Sequence, residues 1–536
     1  MAADLILRGG TVVDGTGAEP FAADVILGSG RILEIRRDGQ RSVPPDGAIP
    51  ELDVTGLLVS PGFIDIHSHS DLTLVIDPRA VSSVAQGVTT EVVGNCGHGC
   101  APITDVARFA GNIYGYRPEF EIGWRSMGEY LDRLEAGRPA VHVAALVPNG
   151  NLRLAAGADL ERAADAAVLH RMEELLRQAL DEGAWGYSTG LEYAPERSCD
   201  EAEITALCGV TGRAGGFYAT HTRNLQGAAR EAIAEPIRTA AAGDVPVQIS
   251  HISVVSRLQE DGRKALEGAL DQVARARSRG QDVTFDMHTR LFGTTNLSAA
   301  LPAWVLEGDE TEIARSLRDP STRRRMAGAP NLLSSLARGD WTRIVLFQCP
   351  ARPELEGAHV QELADRFGTS PLEAIYDVLL STIEDLHGTM IIAFAYREEE
   401  VNIAFEEPDC MVGSDATALA PDGPLQDATF HGAYTWAAWF FRHFVRDTRL
   451  LTVPEAVRRL TSLPASRLGI ADRGILLPGA WADLAVFDPD RFSEQGTTLD
   501  PNRTAAGMVH VFVEGVHTVA DGALTGRRGG RVLRRN

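Results

Sequence analysis

Two histidines spaced two apart, His67-Ser-His69, follow the apolar run Phe63-Ile-Asp-Ile. On an extended segment residues i and i+2 face the same way, so both imidazoles can converge on one cation. Further along, Cys96 follows Thr90-Glu-Val-Val, His221 follows Phe217-Tyr-Ala-Thr, His251 follows Val247-Gln-Ile-Ser and Asp415 follows Met411-Val-Gly. Thiolate, imidazole and carboxylate are the donors that zinc prefers. A lone buried histidine is more often a satisfied core residue, and a lone cysteine a small hydrophobe. Six such donors, each closing an apolar run, point to a metal site instead. Cys96-Gly-His98-Gly-Cys100 lacks a fourth ligand nearby for a compact zinc knuckle, so His98 is read as pocket lining and Cys100 as packing.

These donors need elements that bring them together. Eight short apolar runs precede polar residues, at 63–67, 90–93, 141–147, 185–188, 217–220, 247–250, 283–286 and 411–413, and helical periodicity fills the gaps. Leu169, Met172, Leu176 and Leu180, for example, share one helical face before Gly183. Eight such units predict a (β/α)8 TIM-type barrel, an α/β fold whose active site lies at the C-terminal ends of its strands. The gap from Asp286 to Met411 is too long for one unit and predicts an insertion after strand seven, at about residues 291–350, read as a lid. Both chain ends are strand-rich and too small to bury a core alone, so they are expected to combine into one β-sandwich. The expected division is 1–57 and 466–536 for the two sandwich parts and 58–465 for the barrel. The aromatic stretch Tyr434–Phe441 reads as core packing or a subunit interface.

Composition narrows the chemistry. Of 536 residues 73 are acidic and 51 basic, a net charge of −22, which argues against nucleic-acid binding. The single lysine, Lys264, lies in a polar stretch that reads as the start of a surface helix. Schiff-base, P-loop and carboxylated-lysine chemistry are therefore nearly excluded. Arg527, Arg528, Arg531, Arg534 and Arg535 read as a solvated tail. Six scattered cysteines do not make a disulfide framework, and Cys199, Cys208, Cys349 and Cys410 read as buried thiols. No signal peptide or apolar run of membrane-spanning length is evident, so the expected location is the cytoplasm, with a homo-oligomer left open.

Pro61-Gly-Phe-Ile-Asp-Ile-His-Ser-His-Ser-Asp71 resembles the opening of the amidohydrolase superfamily, and Gly479-Ala-Trp-Ala-Asp-Leu-Ala-Val-Phe-Asp488 its C-terminal signature. Gly87–Gly97, Ser188-Thr-Gly-Leu-Glu-Tyr193, Thr220-His-Thr-Arg223 and Gly413-Ser-Asp415 are similar to the N-acyl-D-amino-acid deacylases (D-aminoacylases) within it. Most of the superfamily has a carboxylated lysine where this chain has Cys96. The resemblance implies that Cys96, His221 and His251 hold a tightly bound zinc, while His67, His69 and Asp415 line a weaker or empty second site. It implies hydrolysis of a linear amide by metal-activated water, with Asp415 taking the water's proton and returning it to the leaving nitrogen.

The chain departs from that pattern where substrate is read. The lysine typical after the strand-six histidine is absent from His251-Ile-Ser-Val-Val-Ser, and Asp286-Met-His-Thr-Arg290 replaces a Tyr-Pro-Tyr-like segment. Tyr193, His98 and His288 remain as pocket candidates, and Arg223 or Arg290 as a carboxylate clamp; for each arginine a structural salt bridge is the alternative. Three functions are weighed: deacylation of an N-acyl amino acid, of D or L configuration; cyclic amide hydrolysis, disfavoured by the missing lysine bridge; and a barrel scaffold without turnover, disfavoured by the six retained donors.

Overall fold

In the computed structural model, residues 2–37, 49–223, 229–252 and 262–535 are described. Eight parallel strands form one sheet, nearly closed into a barrel: β1 (Phe63–Asp65), β2 (Val88–Val93), β3 (His142–Pro148), β4 (Gly186–Gly190), β5 (Phe217–His221), β6 (Val247–Ile249), β7 (Val283–Met287) and β8 (Cys410–Val412). The order in the sheet is the order in the chain. Every residue of β2, β3 and β4 is buried, as expected of strands covered on both faces. Each of the eight strands overlaps one of the runs read from the sequence, although β2 and β4 also bury Thr89, Thr90, Glu91, Ser188 and Thr189. Helices between them start on side-chain caps: Asp165 accepts from the N–H groups of Ala167 and Val168, and Asp200 from that of Glu203.

The chain divides into two compact units. One comprises Met1–Val93, Gly128–Ala145 and Pro408–Asn536, the other Gly94–Met127 and Leu146–Glu407. In the first, strands from both chain ends join in a single sheet of nine. Its seam is the pairing of Leu58–Pro61 with Leu484–Phe487, antiparallel, with Val59 opposite Val486. Leu7, Val25, Ile32, Val59, Val486 and Phe512 are among the residues of its core. Tyr434, Trp436, Phe440 and Phe441 are also buried, and the Phe441 ring meets Phe487 edge-on at 5.2 Å, so the aromatic stretch is core packing. The basic tail is not solvated throughout. Val532 bridges to Val143, Arg531 pairs with Glu514, and Arg534 Nη2 donates to Asp132 at 2.5 Å. Two of the partners that dock it, Val143 and Asp132, lie hundreds of residues earlier.

In the second unit the segment after β7 is a small domain, and it extends well past residue 350. Its sheet has three antiparallel strands, with Met390–Ala393 between Gly293–Asn296 and Ile344–Gln348. Helices such as Glu310–Arg318, begun by a capping box of Asp309 and Glu312, pack over a core that includes Leu317, Leu333, Tyr376 and Ile391. All six cysteines are buried thiols, and Lys264 is exposed near the start of the helix Gly262–Ser278. Among the described residues no helix is long and apolar enough to cross a membrane.

Candidate metal centre

Within the second unit, Cys96, His221 and His251 come together from the loop after β2, the end of β5 and the end of β6. Cys96 Sγ lies 3.5 Å from His251 Nε2, and His221 Nδ1 lies 3.0 Å from the same nitrogen. Donors at Zn–N of ~2.0 Å and Zn–S of ~2.3 Å around a tetrahedral ion stand roughly 3.3–3.6 Å apart. The Cys96–His251 spacing falls in that range, the two imidazole nitrogens stand slightly closer, and all three donor atoms lie within 4.8 Å of one another. The backbone holds two donors in the left-handed region, at φ 53° for Cys96 and 33° for His251. The buried Asp286 on β7 secures the second: its carboxylate accepts from His251 N–H at 2.8 Å and from Gln248 Nε2 at 2.6 Å.

The Cys96 loop rests on a second buried acid. Glu196 accepts from Gly190 N–H at 2.9 Å, and a Cβ on Gly97 (φ 70°) would stand 1.6 Å from its other oxygen. Burial pushes this carboxyl up to about 8. The nearby Arg153 offsets little of that. Its guanidinium is committed to both oxygens of Glu203, at 2.6 and 2.7 Å, and to the carbonyls of Asp159 and Arg162.

Within the first unit, His67, His69 and Asp415 form their own set. Asp415 Oδ1 lies 3.1 Å from His69 Nε2 and 3.6 Å from His67 Nε2. The neighbouring backbone fixes them: Asp415 N–H donates to His67 O at 2.8 Å, and His69 N–H to Ala416 O at 2.7 Å. Asp65, buried in β1, accepts from the N–H groups of Ser414 at 2.9 Å and His67 at 3.3 Å. Burial and the neighbouring Glu91 raise the Asp65 carboxyl, and burial raises Glu91.

The proposed substrate residues fare differently. Tyr193 lies with its ring 4.8 Å from that of His221 and 5.0 Å from that of His98, which also meets Tyr114 in a T-shaped contact at 4.9 Å. The His288 ring stands 6.1 Å from His251 and 5.2 Å from Tyr396, which the small domain supplies. Its Nδ1 accepts from Arg290 N–H at 3.3 Å, and the Arg290 side chain is buried. Arg223 is not a clamp. Its Nε donates to both oxygens of Glu235 at 3.1 Å, and its other nitrogens to the carbonyls of Leu191, Arg197 and Cys199. These bonds tie down the turn after β4 and include an ion pair with Glu235. Ser253–Ser256, where the family's lysine is missing, lie outside the described residues.

Asp286, Glu196, Glu192, Tyr114 and Tyr396 were not singled out from sequence. Glu192 had a signal, an acid in Ser188-Thr-Gly-Leu-Glu-Tyr193 just beyond a strand end; Tyr396, over a hundred residues from His288, had none.

A parallel barrel whose strand ends carry thiolate, imidazole and carboxylate donors defines a metal-dependent hydrolase. The family comparison agrees: the amidohydrolase family matches residues 51–318 and 410–525, and the chain belongs to that family. It is 33% identical to an N-acyl-D-glutamate deacylase of Alcaligenes xylosoxydans xylosoxydans, over 99% of this chain and 97% of that one. The solved N-acyl-D-glutamate deacylase of Bordetella bronchiseptica, complexed with zinc and a phosphonate that mimics the tetrahedral intermediate, is 31% identical with a TM-score of 0.80 over all of both chains. A D-aminoacylase structure, described by one-metal activation and second-metal attenuation at a binuclear centre, is 32% identical with a TM-score of 0.80, again over all of both chains.

Proposed function

We propose that this chain is a zinc-dependent deacylase of N-acyl-D-amino acids, with Cys96, His221 and His251 as the tight site and His67, His69 and Asp415 at a weaker second one. The observation that carries this reading is the Cys96–His251–His221 set, a thiol and two imidazoles whose donor atoms converge within 4.8 Å of one another. Zinc held by these three residues would supply a Lewis acid for the amide carbonyl and lower the pKa of a water towards neutrality. Asp415 takes that water's proton and returns it to the leaving nitrogen, which amide cleavage requires because an amine anion is a poor leaving group. Its carboxylate is 21% exposed, open enough for that exchange, and the two histidines beside it fix its direction.

Tyr193, His98 and His288 line the substrate pocket, and His288 offers its imidazole to a substrate oxygen. Arg290, in the segment that departs from the family pattern, takes the substrate carboxylate in place of the missing lysine. Full-length relatives that act on linear N-acyl amino acids support this reading over ring opening. Metal analysis of the purified protein, followed by assay of N-acyl-D-, N-acyl-L- and cyclic amides, tests it. Roughly one zinc per chain and turnover confined to N-acyl-D-amino acids is the expected result. Absence of bound zinc, or preference for cyclic amides, would refute it.

A further inference from the structure

The structure points to a function for Glu192 that the ligand set alone does not reveal: we propose that it is a positioning residue for zinc, acting through His221. His221 directs Nδ1 towards the other two donors, at 3.0 Å from His251 Nε2, so its Nε2 faces away from them. There it meets Glu192 Oε2 at 3.3 Å. A neutral imidazole carries one N–H. With the carboxylate accepting at Nε2, the proton stays on that nitrogen and the lone pair stays on Nδ1, where a cation needs it. The anionic acceptor also polarises the ring, making Nδ1 a stronger donor.

Glu192 is built for this task. It is 2% exposed, so water does not compete for its carboxylate. Its carbonyl accepts from Arg197 Nε and Nη2, both at 3.1 Å, which fixes the backbone beneath the side chain. Leu191 N–H donates to His221 O at 3.1 Å, and Gly190 is the sheet partner of His221. Three successive residues thus hold His221 by its register, its carbonyl and its ring. Tyr193, the fourth, lies against the same imidazole at 4.8 Å. The run Gly190-Leu-Glu-Tyr193 therefore orients one ligand completely.

This inference rests on the zinc reading, and its test separates the two. The zinc-loaded protein, Glu192→Gln and Glu192→Ala are each equilibrated against graded chelator, with retained zinc counted by mass spectrometry and melting followed in excess zinc. Glu192→Ala should bind zinc ten- to a hundredfold more weakly, the usual consequence of removing such a partner. Glu192→Gln should fall between, since its amide oxygen still accepts from Nε2 but carries no charge. A purely structural role would lower melting and leave that order of affinities unmoved. Parental zinc affinity in a folded Glu192→Ala overturns the inference. If that variant does not fold, parental affinity in Glu192→Gln overturns it equally. A parent protein that holds no zinc refutes the proposed function instead.

Discussion

Glu196→Gln should make this protein more stable, and increasingly so as the pH rises. The carboxyl is wholly buried, accepts from Gly190 N–H, and faces Arg153 and Glu203, which largely neutralise each other. Its folded value of about 8 stands against an ordinary 4.5, so between those values the folded chain holds a proton that the unfolded chain has lost. Stability is therefore fully present below about pH 4.5 and falls as the pH rises towards 8. At about 1.4 kcal/mol per pH unit, raising the pH from 5 to 9 costs the parent on the order of 4 kcal/mol through this group. Glutamine resembles the protonated acid in shape and does not titrate. For a chain of 536 residues, with an unfolding entropy of roughly 2.1 cal/mol/K per residue, that difference corresponds to about 4 °C. Calorimetric scans of parent and variant at pH 5 and 9 check this, because every other titrating group cancels in the comparison. A variant whose melting temperature tracks the parent's at both pH values would show that Glu196 is ionised in the fold, and that the burial argument is wrong.

Asp415→Asn should keep tight zinc while losing turnover by several orders of magnitude, since an amide neither takes nor returns the proton; steady-state kinetics with metal analysis decides it. Gly97→Ala places a methyl on the Glu196 carboxyl at a left-handed φ, so zinc content and melting temperature should fall together. Arg290→Lys keeps the charge but loses the planar fork, so KM should rise for a carboxylate-bearing substrate and stay put for an uncharged amide. Equal effects on both substrates would make Arg290 a structural residue.

What the sequence could announce depended on how far away the explanation lay. Most barrel strands are covered on both faces and rich in apolar residues, so they read as short apolar runs, and the polar residue beyond the end stood out as a donor. His67 and His69 needed only the two-residue period of an extended chain. The insertion after β7 was legible from its length, but its sheet was not, because one strand, Gly293-Thr-Thr-Asn296, is polar and half-buried and signals neither strand nor core. Arg223 looked like a free cation because Glu235 and the three carbonyls that bind it are assembled only by folding. The same holds for Arg531 and Arg534, whose partners Glu514 and Asp132 are far apart in the chain.

Backbone strain links the donors to their task. Eleven described residues other than glycine have positive φ, and Cys96, His251 and Asp415 are three of them. A left-handed residue other than glycine costs on the order of 1 kcal/mol or more, which glycine would avoid. Glycine cannot supply a thiolate, imidazole or carboxylate. The strain therefore persists only where surrounding bonds over-determine it, and those bonds are identifiable. Asp286 accepts from the N–H of His251, and the N–H of Asp415 donates to the carbonyl of His67. At both positions the hydrogen bond that holds the strained residue comes from an adjacent strand or strand end, so the strand pairing itself keeps the donor turned. Loss of Asp286 by substitution with alanine should then free the His251 backbone and weaken zinc retention, although Asp286 supplies no ligand of the tight set. Chelator competition on the folded variant measures this, and unchanged zinc affinity would mean that the turn at His251 is held by something other than the carboxylate beneath it.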